Sequence, residues 1–171
     1  YAVPFQKHVN NDESESTLTK ADSLLEAGNY ASAMKYYKEA VNWREKTFGK
    51  DHLLTGACKN FVARALHAAG DVRASLDAYQ EAINILVADM DNTSWYANPD
   101  INMQIQSGQY LLDALTAKGE LLKELYHETS DLNDLVAALD TQETAIQLLE
   151  KIKNSEMSTA SKSFWTTKTI N

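Results

Sequence analysis

A chain of 171 residues is long enough for one core or for a short stack of helical hairpins. Its formal net charge of −8 excludes a partner held mainly through phosphates, so neither nucleic acid nor an anionic membrane is expected. Two prolines and six glycines, in a chain crowded with Ala, Leu, Glu and Lys, favour an all-α fold, and the single Cys58 excludes a disulfide framework or a multi-thiolate zinc site.

Residues 1–11 lack a helical period and read as an N-terminal arm. Asp12 and Glu15 have capping-box spacing, and Leu18, Ala21, Leu24 and Leu25 then fall on one face of a first helix that Gly28 and Asn29 close. Tyr30, Ala33, Met34, Tyr37, Ala40 and Val41 form the stripe of a second helix, ending near Gly49. Asp51 is placed to cap a third, whose apolar face carries Leu54, Cys58, Phe61, Val62 and Ala65 and which stops at Gly70. The fourth face runs Val72, Leu76, Tyr79, Ile83, Leu86 and Met90. Residues 91–100 are rich in turn formers and read as a long loop. Leu111, Leu112, Leu115, Leu122 and Leu125 mark a fifth helix, and Asp131 opens a sixth whose inward face is Leu132, Leu135, Leu139, Ile146 and Leu149. Residues 154–171, with Phe164 and Trp165, start a further helix that leads to a region beyond this chain.

Self-similarity organises these elements. Gly28-Asn29-Tyr30 and Gly70-Asp71-Val72 stand 42 residues apart, and at that offset Ala33 pairs with Ser75, Tyr37 with Tyr79 and Ala40 with Ala82. Small residues there let two helices of a hairpin approach, and the tyrosine fills the space between neighbouring hairpins. A third, weaker copy has Thr129-Ser130-Asp131-Leu132 at the turn, then Ala138 and Ala145, with Gln142 in the aromatic place.

In these residues the chain resembles the tetratricopeptide repeat (TPR) family, whose signature is a small residue late in helix A, a Gly-Asp/Asn-Tyr turn, then Ala, an aromatic and Ala along helix B. The period exceeds the common spacing of about 34, which is similar to the longer helices of the kinesin-light-chain kind; WREKTFGKDH resembles the linker of that subtype, with Leu53 where proline is common. Residues 95–170 resemble the last repeats before the peptidase domain of bacterial CHAT proteins, which are caspase-like enzymes. The resemblance implies a TPR-like α-α superhelix: three right-handed stacked hairpins over 12–153 (12–49, 51–90 and 101–153) plus an incomplete C-terminal helix. It implies a protein-interaction scaffold, either the regulatory arm of a larger CHAT-type peptidase or a free-standing adaptor.

No residue pattern selects an active site. Cys58 lies between Leu54 and Phe61 on an apolar face, where cysteine is an ordinary core residue. His8, His52, His67 and His127 nowhere have the i, i+4 spacing of a helical metal pair, so no metal or cofactor is expected. Counting back from the glycine turns, the concave groove of such a stack presents Asp22 and Glu26, then Asn60, Arg64 and His67, then Glu120, Glu124 and His127. That surface is mostly acidic, which favours a protein or peptide partner carrying Lys or Arg and disfavours an acidic tail. Around Phe164 and Trp165 the chain is expected to fold back onto Ile146 and Leu149 or to self-associate.

Overall fold

The computed structural model describes residues 13–168, with side chains from 14 to 157; the arm at 1–11, the Asp12 cap and the side chains of Phe164 and Trp165 lie outside the described residues. Those residues form α1 (Glu13–Glu26), α2 (Tyr30–Phe48), α3 (Leu53–Ala68), α4 (Val72–Leu86), α5 (Gly108–Thr129) and α6 (Leu132–Lys168). The fold is all-helical and TPR-like, with three antiparallel hairpins, α1/α2, α3/α4 and α5/α6, stacked in chain order. Among the described residues no helix is long and apolar enough to cross a membrane.

The two glycine turns are built alike. Gly28 and Gly70 sit at φ +75° and +85°, a conformation that costs an L side chain. The following N–H reaches five residues back, Asn29 to Leu24 and Asp71 to Leu66, which satisfies a carbonyl at the helix end. Asn29 and Asp71 then cap the next helix by accepting from Ser32 N and Ala74 N. In the third hairpin Ser130, at φ 58°, takes the glycine's place. Small residues face the partner helix: Ala33 is fully buried, and Ser75 donates to the Ala63 carbonyl at 2.7 Å. Tyr37 and Tyr79 are buried, as is Cys58. Arg44, also buried, joins three helix ends by donating to Ser14 Oγ, Glu15 and the Leu54 carbonyl.

Four expectations are corrected. His52, not Asp51, caps α3: its Nδ1 accepts from Leu54 N at 3.2 Å. The fourth helix stops at Leu86, because Val87 leaves it to pair antiparallel with Ile105, and the chain stays irregular until Ser107 caps α5. The inward face of α6 is Asp134, Ala137, Ala138, Thr141, Ala145 and Leu148, while Leu132, Leu139, Ile146 and Leu149 are 51–66% exposed. The physical reason is close approach. A Cβ on Gly119 would lie 3.0 Å from Gln142, so α5 sits too near α6 for the leucine stripe to turn inward. Finally, residues 154–168 do not begin a new helix. They continue α6, which runs unbroken to Lys168 and so does not fold back on Ile146 and Leu149.

Candidate functional site

Helices α1, α3 and α5 draw together along one face. Arg64 of α3 pairs with Asp22 of α1, Asn60 of α3 donates to the Tyr110 carbonyl of α5 at 2.9 Å, and His67 of α3 meets Glu124 of α5 at 2.9 Å. On the opposite face α2 and α4 are parted by a groove, and α4 and α6 by the long loop. A stack whose A helices close up while its B helices spread is concave on the A side.

At the centre of that face Arg64 donates to Asp22 and, at 3.1 Å, to the Tyr37 hydroxyl, which itself donates to Asp22. The Tyr37 ring stacks on Phe61 with centroids 6.0 Å apart, and the Arg64 guanidinium lies over the Phe61 ring, 5.2 Å from its centroid. Burial, with the Asp22 hydrogen bond added, pushes the Tyr37 phenol up to about 12, so it is a neutral donor at any physiological pH. Burial likewise pushes Tyr79 up to about 12. Between α3 and α5 these residues bound a cleft of about 180 Å³ whose walls include Asn60, Phe61, Arg64, Tyr79, Tyr110 and Asp113. The side-chain Oδ1 of Asn60, which lines this cleft, is buried without a hydrogen-bond partner.

Of the eight groove residues read from the sequence, the structure brings Asp22, Asn60, Arg64, His67 and Glu124 into this bridged face. Glu26 is exposed near the end of α1. Glu120 is turned toward α6, paired with Lys123 and accepting from Gln142 at 3.1 Å, so it stands outside the cleft. His127 is exposed, with its ring 5.7 Å from that of Tyr126. Tyr110 and Asp113 were not among the residues read from the sequence, because the apolar pattern starts α5 at Leu111. Ser107, whose side chain accepts from Tyr110 N, was the available signal that the helix begins one turn earlier.

The repeated glycine turns, the small residues between paired helices and the buried inter-hairpin tyrosines all fall within one segment that is similar to a known repeat. Residues 13–86 match the tetratricopeptide repeat. The first two hairpins, α1 to α4, are thus similar to TPR units, and the third, outside the matched residues, repeats their helix pairing. No curated protein matches the chain. Helices α1, α3 and α5 are the first helices of the three hairpins, and the bridged face runs along them.

Proposed function

We propose that this chain is a protein-interaction scaffold with no catalysis of its own, which holds on its α1/α3/α5 face an extended partner segment carrying Lys or Arg. The observation that carries this reading is the cleft between α3 and α5. Its aromatic walls, Phe61, Tyr79 and Tyr110, offer apolar contact, and Asp113 supplies a carboxylate while Arg64 is already engaged by Asp22. Glu26 and Glu124 add negative charge along the same face. A segment bearing cations meets this potential favourably, and an acidic tail does not.

The test is fluorescence anisotropy with two labelled decapeptides, one alternating Lys and Ala and the other Glu and Ala. The basic peptide should bind with an affinity that falls steeply with salt, and Asp113→Lys with Glu124→Lys should abolish it. Equal binding of both peptides, or no effect of the double reversal in a folded variant, would overturn the reading.

The likeness of residues 95–170 to the repeats that precede CHAT peptidase domains supports a finer version. Here the scaffold is the regulatory arm of a larger enzyme whose catalytic domain is not in this chain; the alternative is a free-standing adaptor. Reading the gene past the Asn171 codon separates them: a His and Cys pair within an α/β pattern means an enzyme arm, and a stop codon means an adaptor. The exposed leucine stripe on α6 favours a second contact, self-association through this last helix, because Leu132, Leu139, Ile146 and Leu149 recur at coiled-coil spacing with more than half of each side chain in solvent.

A further inference from the structure

Two grooves run along the outer face among the described residues, each between second helices of neighbouring hairpins, and this chain fills one of them itself. The groove between α4 and α6, floored by α5, holds residues 92–99. Asn84 donates to the Asn92 carbonyl at 3.0 Å, and the Lys118 ammonium donates to the Ala97 carbonyl at 2.6 Å and to Asn98 Oδ1 at 3.2 Å. Thr141 donates to the same Asn98 oxygen at 3.0 Å, Tyr96 donates to Asp134 at 2.7 Å, and Pro99 is buried beneath the strip.

The groove between α2 and α4, floored by α3, is a space of about 430 Å³. Its floor is apolar, with Val41, Val62, Leu66 and Ala78; its rim carries Lys38 and Asn42, the ion pair Lys59–Glu81, and the carboxylates Glu45 and Asp77, the last already accepting from Trp95 of the loop. The repeat offset of 42 puts Asn42 in the place of Asn84 and Lys38 in that of Gln80. Gln80, under the loop, is 2% exposed, whereas Lys38 is exposed. The difference is the covering strip, not the helix. The linker between α2 and α3 cannot supply that strip. It runs only from Gly49 to His52, and Thr55 holds its first carbonyl at 2.8 Å, so its whole reach, roughly 13 Å at full extension, is spent joining the helices.

We propose that the α2/α4 groove binds an extended segment of another protein with the chemistry that this chain lays in the α4/α6 groove: a small residue, then Asn, then Pro. The small residue fits the floor between Val41 and Ala78. Its carbonyl meets the rim donor Asn42, and the Asn carboxamide oxygen accepts from Lys38, as Asn98 does from Lys118. Proline suits the apolar floor because it has no N–H to strand there. Recognition is mainly through main-chain carbonyls, as in other modules that take extended peptides.

The probe is the hexapeptide of residues 95–100, Trp-Tyr-Ala-Asn-Pro-Asp, titrated into the whole chain and followed by NMR amide shifts. Saturable binding with shifts centred on Val41, Val62, Leu66 and Ala78 is expected. Asn42→Ala should weaken it about fivefold, the worth of one hydrogen bond. A peptide with its Asn replaced by Ala should weaken it similarly, and Asp113→Lys on the inner face should leave it unchanged. Absence of saturation, shifts on the α1/α3/α5 face, or an Asn42→Ala variant that folds and binds equally would each refute the proposal. So would two other results: a chain lacking residues 1–11 that binds tenfold tighter, assigning the groove to the chain's own arm, or a dimer dissolved by the peptide, assigning it to a second copy's loop.

Discussion

Lys118 sits at the junction of α4, the long loop, α5 and α6 with no exposed surface, and its three acceptors, Gln80 Oε1, the Ala97 carbonyl and Asn98 Oδ1, are all uncharged. Burial pushes its ammonium down from 10.5 to about 7. Because the folded value lies below the unfolded one, the unfolded chain binds the extra proton between these limits, so this residue makes stability rise with pH from about 7 to about 10.5 and fall again as pH drops toward 7. Integrated from pH 7 to 9.5, one such group contributes about 3 kcal/mol. The assay is urea denaturation at half-unit pH steps for the wild type and for Lys118→Met, whose difference removes the other titrating groups. The wild type should gain on the variant by about that amount across the interval. A difference that stays flat would show that the three oxygens hold the ammonium charged against the cost of burial, and the reasoning from desolvation would fail. Above pH 10 the stability of both proteins should fall, because Tyr37 and Tyr79 keep their protons to about 12 while the unfolded chain loses them.

Replacing Tyr37 or Tyr79 by Ala should cost about 3–5 kcal/mol, the range for deleting a buried aromatic, and exposed Glu39→Ala should cost under about 0.5 kcal/mol; equal small losses in chemical denaturation would refute the repeat frame. Gly70→Ala should lower stability by about 1–2 kcal/mol, since φ +85° is left-handed while nothing crowds the added methyl; an unchanged melting curve would remove the turn from the account. Leu139→Glu with Ile146→Glu should abolish concentration-dependent association in sedimentation equilibrium. A wild type that stays monomeric at every concentration would dismiss the α6 contact.

The local rules of the chain were legible before any coordinates. Gly28-Asn29 and Gly70-Asp71 encode turns by backbone chemistry that acts within five residues. Tyr37, Tyr79 and their small neighbours disclosed the repeat because each copy must solve the same packing problem. That Asp22, Asn60, Arg64, His67 and Glu124 share one face followed from that frame, since a helix face is set by the period once the turn is known.

What only the tertiary structure decided lies where two competing surfaces were available. Helix α6 carries a leucine stripe and a stripe of Ala and Thr, and hydrophobicity alone points the leucines inward. Gly119 brings α5 so close that the small stripe is buried instead. Glu120 left the groove because a longer-range partner, Gln142, competes for it. Lys118 reads as one more solvated lysine until the loop, 20 residues earlier in the chain, folds over it. Sequence patterns report interactions between residues a turn or a repeat apart; the partners that bury Lys118 and turn α6 are set by which distant segments share a surface, and no local period encodes that choice.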